Sequence, residues 1–246
     1  MSTFRLAAVL WAGLIISSQT TARDVRIETV DWPPYYSANQ LGNGPIAEIT
    51  REALKLKGHT AVIKFVPWKR AIANVERGQA DMVMGAYDTP ERRQKFIVSE
   101  KLYDIKEYVI GLKSSGLTEF NGFEDLKKYK FGVTAGYAYA KDFQEASYLQ
   151  KTEASSDLLN IKKLFGGRID FLILNTATFN ENTKKIPNAQ RKEVVFLAPP
   201  LTVVGIHNLI SRKVVGGEQL AKDLADGIRE LKASGRYQEI LQAQGL

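Results

Sequence analysis

The chain has 246 residues, 44% of them hydrophobic and 25% charged, with a formal net charge of +7. That length and composition can fill one large or two small globular cores and exclude a disordered or low-complexity chain. Scattered basic residues form no nucleic-acid or lipid-surface footprint, and the absence of cysteine excludes disulfides, thiolate metal sites and cysteine catalysis.

At the N-terminus, Arg5 precedes an apolar stretch from Leu6 to Ile16, and small polar residues lead to Thr20, Thr21 and Ala22. A basic start, a short apolar centre and a small-x-Ala exit describe a secretory signal peptide over residues 1–22. The apolar run falls short of the roughly 20 residues a membrane anchor requires. No cysteine is present to carry a lipid anchor. Cleavage after Ala22 is expected to release a soluble protein into the periplasm.

Strand and helix signals then alternate. "VRIETV" reads as a strand, and the two prolines of "DWPPYY" end it. Pro45 opens a helix in which Ile46, Ile49, Ala53 and Leu54 recur at helical spacing, and Gly58 stops it. "AVIKFV" is the next strand, and "PWKRAIANVERG" repeats the helix pattern with Trp68, Ala71, Ile72 and Val75 on one face. "ADMVMGA" is continuously apolar, as in a strand covered on both faces. This β-α-β-α-β order predicts a parallel sheet with helices on both sides.

A second α/β set follows. "EYVIGLK" predicts a strand, "FEDLKKY" a short helix, "KFGVTAG" a strand and "YAYAKDFQEA" the segment after it. "SSDLLNIKKLFGG" has a serine cap and a glycine stop, and it leads into the strand "RIDFLILN". After "EVVFLAPP" come the strand "GIHNLIS" and two closing helices. Two α/β halves predict two lobes, with a site beyond the carboxyl ends of the strands.

"TPERRQKFIVSEKLY" places Arg92 and Arg93 at a helix start, with Thr89 as cap and Pro90 next. The residues alone do not separate the two arginines. Taken in order with "DWPPYY", "GPIAEITREAL", "GQADMVMG", "GRIDFLILN" and "ELKASGRYQEILQAQG", the segment resembles the periplasmic solute-binding proteins of the polar amino-acid type, which serve ABC transporters. The likeness covers essentially the whole chain after residue 22.

The resemblance implies a type II periplasmic-binding-protein clamshell: two α/β lobes joined by two crossing strands. Lobe one would take residues 23–109 and 204–246, and lobe two residues 110–203, with crossings near Val109–Ile110 and Val204–Gly205. Such proteins close on their ligand by hinge motion. The register of the motif makes Arg92 the clamp for a ligand carboxylate, since a planar guanidinium gives two charge-assisted hydrogen bonds. Arg93 is then left to solvent or a surface ion pair. Trp32 would stack on the ligand, with Tyr35 supporting its loop. Trp68 matches a cleft-facing position, although the residues leave it open between cleft and core. Gly85, Ala86 and Tyr87 would offer backbone groups.

In lobe two, Tyr137 and Asn175 take the family's ligand positions. Asn175 stands where amino-acid binders carry an aspartate for the ligand ammonium, and a neutral amide lacks that charge. Asp31 or Asp88 would have to compensate if the ligand is an α-amino acid. Asp170 is expected to be structural.

The resemblance implies no cofactor, no metal, no nucleic-acid partner and no catalysis. Its implied partners are a small carboxylate-bearing ligand and an inner-membrane ABC permease, with the protein monomeric. Two alternatives share the fold: a sensing module presenting solute to a membrane receptor, and a cyclohexadienyl-dehydratase-like enzyme needing an acid or base in the cleft. His59 is expected to be exposed at a helix–strand turn and His207 to be structural.

Overall fold

The computed structural model describes residues 22–189 and 192–246. The expected signal peptide, Ala22 apart, lies outside the described residues. In the first half, strands β1 (Asp24–Thr29), β2 (Thr60–Phe65) and β3 (Met82–Tyr87) run parallel, linked by helices α1 (Pro45–Leu56) and α2 (Trp68–Glu76). Helix α1 begins with Pro45 and buries Ile46, Ile49, Ala53 and Leu54, as its spacing predicts. Strand β3 is buried from Met82 to Ala86, which explains its unbroken apolar run.

Helix α3 (Pro90–Lys95) and strand β4 (Phe96–Val98) precede the long strand β5 (Tyr103–Leu112). The second half contains β6 (Lys130–Thr134), α4 (Lys141–Glu145), β7 (Gln150–Ala154), α5 (Asp157–Phe165), β8 (Phe171–Asn175), α6 (Thr176–Thr183) and β9 (Val194–Phe196). Strand β10 (Thr202–Ser211) returns to the first half, followed by α7 (Gly217–Ala233) and α8 (Arg236–Ala243).

Strand pairing runs β2-β1-β3-β10-β5-β8-β6-β7, so β10 and β5 join the two halves. Residues Tyr103–Glu107 of β5 pair antiparallel with β10, and Glu107–Gly111 pair with β8. Glu107 is therefore the residue at which β5 exchanges one half for the other. These are the two lobes that the alternation of elements predicts, joined by two strands as the resemblance implies.

Each half has its own core. Ile27, Met82, Leu224 and Ile228 belong to one cluster, and Phe131, Phe143 and Phe171 to another. Helix α7 packs onto α1 so closely that a Cβ on Gly227 would lie 2.2 Å from the Ala53 carbonyl oxygen. No larger residue fits there without moving backbone.

Several elements differ from expectation. "FEDLKKY" forms only a 3-10 turn at Glu124–Leu126, and "YAYAKDFQEA", to which the sequence assigns no element, holds a short helix at Lys141–Glu145. Strands β4 and β7 and helix α6 have no clear sequence signal. Strand β7 reads "QKTEA" and is largely exposed, so it carries no apolar alternation. His59 is buried rather than exposed, with Nε2 3.0 Å from Asp223 Oδ2 on α7. The turn holding it looks open in sequence, but the returning C-terminal helix covers it.

Candidate functional site

The loop after β1 is tightly made. Asp31 accepts hydrogen bonds from Ser37 Oγ and Ala38 N, each 2.8 Å, and Trp32 N donates to Tyr36 O at 2.8 Å. These bonds occupy one carboxylate oxygen of Asp31 within its own loop. Trp32 packs against Tyr35, Tyr36 and Tyr87 at centroid distances of 4.9, 5.7 and 6.1 Å. Trp32 belongs to the buried core cluster and also lines a cavity, so the loop tucks its ring inward rather than presenting it to solvent.

Tyr36 fixes the neighbouring strand end. Its hydroxyl donates to Gly85 O at 2.9 Å, and a Cβ on Gly85 would meet that hydroxyl oxygen at 2.2 Å. Gly85 also has φ +84°, so both space and backbone demand glycine.

Helix α3 starts as its sequence predicts, with Thr89 Oγ1 accepting from Arg92 N at 3.2 Å. Arg92 folds back: Nη1 donates to Tyr87 O at 2.7 Å and the guanidinium lies 5.7 Å from the Trp68 ring centroid. Burial lowers its pKa from the usual arginine range, although a guanidinium in a protein stays charged. Among the described residues no carboxylate forms a salt bridge with it. Arg93 is exposed and pairs with Asp88.

The structure brings Trp32, Trp68, Tyr87, Arg92 and Tyr137 to one cavity, and Gly85 and Ala86 complete its strand-end wall. Its volume is about 20 Å³, room for the centre of one water molecule. Trp68 is both buried and cavity-lining, and its Nε1 donates to Gly136 O at 3.0 Å. Tyr137 stands edge-on to Trp68 at 6.1 Å and reaches Asp157 Oδ2 at 3.3 Å.

Asn175 is not brought to this wall. Its Oδ1 caps α6 by accepting from Thr178 N at 2.8 Å, and it also accepts from Tyr35 O–H at 3.2 Å. The β8-to-α6 junction needs a capping side chain at that position, and this geometry occupies the amide oxygen. Tyr35 thus ties the first half to the second. Asp170 accepts from Lys130 N at 2.8 Å, and His207 Nδ1 lies 2.9 Å from Ser99 O, both within the framework.

Two buried carboxyls were not singled out by sequence reasoning. Burial pushes Glu107 up to about 7, opposed by the Tyr87 hydroxyl that donates to its Oε1 at 2.7 Å. Burial likewise raises Asp157 to about 6, opposed by hydrogen bonds from Thr134 Oγ1 at 2.6 Å and from Tyr137. Glu107 alternates in phase with Ile105 and Val109 on the buried face of β5, and that phase is the sequence signal that marks it as an inward-facing charge. Asp157 opens a helix, where it reads as a favourable first-turn acid. A larger cavity of about 680 Å³ adjoins the first, sharing Tyr87 and Ala138 and reaching Glu107. Among the described residues, no three of His, Cys, Asp and Glu converge on a metal position.

The family model described as bacterial extracellular solute-binding proteins, family 3, matches residues 24–243. A search of curated proteins found no match. Among solved structures, the chain is similar to the substrate binding protein of an amino acid ABC transporter, with 21% identity and a TM-score of 0.76 over 90% of this chain and 99% of that one. It is also similar to a histidine kinase sensor domain resembling periplasmic binding proteins, at 16% identity and TM-score 0.78, covering 90% and 96%. A third likeness is the ancestral amino acid-binding protein AncCDT-1, a precursor of cyclohexadienyl dehydratase, at 19% identity and TM-score 0.72, covering 90% and 95%. At these identities the structural likenesses establish the fold.

Proposed function

Because the chain belongs to the bacterial extracellular solute-binding proteins, family 3, we propose that it holds a small polar, carboxylate-bearing solute between its lobes, an amino acid or close derivative, for delivery to an inner-membrane ABC permease. One observation carries the carboxylate: the Arg92 guanidinium faces the inter-lobe cavity, held by Tyr87 O and Trp68, with no salt bridge to a carboxylate among the described residues. A planar cation fixed in this way is organised for two parallel bonds to an incoming carboxylate. Trp32 and Trp68 supply the apolar walls; Gly85 has both backbone groups engaged, its N–H by Asn208 Oδ1 and its carbonyl by the Tyr36 hydroxyl, which leaves the strand end at Ala86 and Tyr87 to meet the ligand.

The change of β5 partner at Glu107 supports a first lobe of residues 23–109 and 204–246 and a second of 110–203. We assign the protein to the periplasm as a monomer, exported by its N-terminal leader. Among the described residues no helix is long and apolar enough to cross a membrane.

A thermal-shift screen of amino acids and small acids tests the reading, since a ligand at 100 times its Kd adds about 2.7 kcal/mol of stability. The ligand found should lose its shift in Arg92→Ala. A ligand that stabilises both proteins equally would defeat the assignment.

A further inference from the structure

Glu107 lies at the hinge, 3% exposed, with Oε1 accepting from Tyr87 O–H at 2.7 Å and Oε2 bonded to nothing among the described residues. Either protonation state leaves that oxygen unsatisfied: an ionised carboxylate lacks a donor, and a neutral one lacks an acceptor for its proton. Buried polar atoms of this kind call for an explanation. Asn175 stands directly opposite Glu107 in the β5–β8 pairing; its amide oxygen is committed to Thr178 N and Tyr35 O–H, and its Nδ2, like Glu107 Oε2, is buried without a hydrogen bond among the described residues.

Glu107 lines the cavity of about 680 Å³. Around the same cavity stand Asp88, Glu91 and Glu145, against one lysine, Lys141, which pairs with Glu145 at 3.8 Å. Asp88 also has an oxygen, Oδ1, that is buried and without a hydrogen bond. Asp88 is paired through its other oxygen with Arg93 and Glu145 with Lys141, which leaves Glu91 and Glu107 as the carboxyls of this wall without a cationic partner among the described residues, so a donor entering beside them is favoured if it carries positive charge. Tyr87 joins the two cavities: its carbonyl oxygen holds Arg92 and its hydroxyl holds Glu107.

We propose that Glu107 is a binding residue for a cationic nitrogen of the ligand, so that a single zwitterionic solute places its carboxylate on Arg92 and its ammonium on Glu107. This rests on the carboxylate reading above and narrows it from small acids to amino acids and related zwitterions. The elevated pKa of Glu107, about 7, fits the role. A bound cation would hold the carboxyl ionised and expel its proton, whereas Tyr87, Glu91, Glu145 and Asp157 supply no positive charge to do so and Arg93 is engaged with Asp88. Lys141 is the cationic side chain on that cavity wall, and it is engaged with Glu145.

The experiment uses the mature protein and pairs of probes differing only at the nitrogen. The common L-amino acids are screened by thermal shift, and the strongest is compared by calorimetry with the 2-hydroxy acid bearing the same side chain. The amino acid should bind at least tenfold tighter than its hydroxy analogue. Glu107→Gln should weaken the amino acid at least tenfold while changing the hydroxy acid less than twofold. On the unmutated protein, titration at pH 7 in two buffers of different ionisation heat should show proton release with the amino acid; this readout does not depend on how the variant folds. Amino-acid binding that survives Glu107→Gln, involves no proton release and is lost in Arg92→Ala would overturn the cation site and leave the carboxylate reading standing. Equal affinity for the hydroxy acid and the amino acid would do the same. No amino or hydroxy acid bound, or binding indifferent to both variants, would overturn both.

Discussion

Trp68 donates its indole N–H to the carbonyl of Gly136 at 3.0 Å, joining helix α2 of the first half to the loop after β6 in the second. Lys69, the next residue, pairs with Glu153 at 2.9 Å, and Tyr35 bonds Asn175 in the same inter-lobe sense. The exposed Lys69 pair contributes little, so the neutral bonds carry more of this closure. Trp68→Phe keeps a ring in place but removes the donor, which should shift the balance toward an open form by about 1 kcal/mol. Small-angle scattering of the ligand-free variant should then give a larger radius of gyration. An unchanged profile would mean that this bond does not hold the lobes together.

The two arginines of α3 should separate cleanly. Arg92→Ala should cost about 2 to 5 kcal/mol of binding, because it leaves the ligand carboxylate unpaired. Arg93→Ala removes only the surface pair with Asp88 and should leave affinity nearly unchanged. Calorimetry giving equal losses for both would refute the role assigned to Arg92.

Asn175 has a structural duty that its sequence position does not reveal. Asn175→Ala removes the cap of α6 and leaves the buried Tyr35 hydroxyl without its acceptor. Loss of the cap alone should cost about 1 kcal/mol of stability, and the orphaned hydroxyl should add to it. Urea unfolding measures this directly; a midpoint equal to that of the parent protein would show that the cap is dispensable.

The buried carboxyls set a pH dependence. Glu107 is raised from 4.5 to about 7 and Asp157 from 3.8 to about 6, so the folded protein holds these protons more tightly than the unfolded chain. Their stabilising contribution is complete below the unfolded values and is lost as pH rises through about 6 and 7. For Glu107 alone the linkage amounts to roughly 3 kcal/mol, counted at about 1.4 kcal/mol per pH unit. Unfolding free energy should therefore fall between pH 5 and pH 8 in the ligand-free protein. Glu107→Gln should make that fall shallower, and a parallel pH profile in the variant would argue against a buried ionising Glu107.

The sequence has three tryptophans, and Trp11 lies within the expected leader. The other two, Trp32 and Trp68, both line the inter-lobe cavity. Saturating ligand should consequently change the emission of the mature protein without background from remote indoles. Trp32→Phe should remove part of that change while retaining much of the affinity, since phenylalanine keeps a stacking face. A ligand that binds by calorimetry and leaves emission untouched would contradict this placement.

By itself the sequence determined what depends on local periodicity. The proline start of α1, the apolar run of β3, the serine cap of α5 and the threonine cap of α3 follow from spacing and backbone preference, and they appear where the residues put them. The order of those elements was enough for two α/β lobes, whereas Arg92 and Arg93 are set apart only by the register of the family motif. Tertiary structure alone decided the rest, because it depends on contacts between residues far apart in the chain. Asn175 became a cap and a partner of Tyr35, 140 positions away, and His59 was buried when α7 brought Asp223 over it. Alternation puts Glu107 on the buried face of β5 with Ile105 and Val109, but only the flanking β8 and β10 and the Tyr87 hydroxyl decide what surrounds its carboxyl. Local alternation assigns a side chain to a face, but its partners there come from segments far away in the chain, which no local pattern encodes.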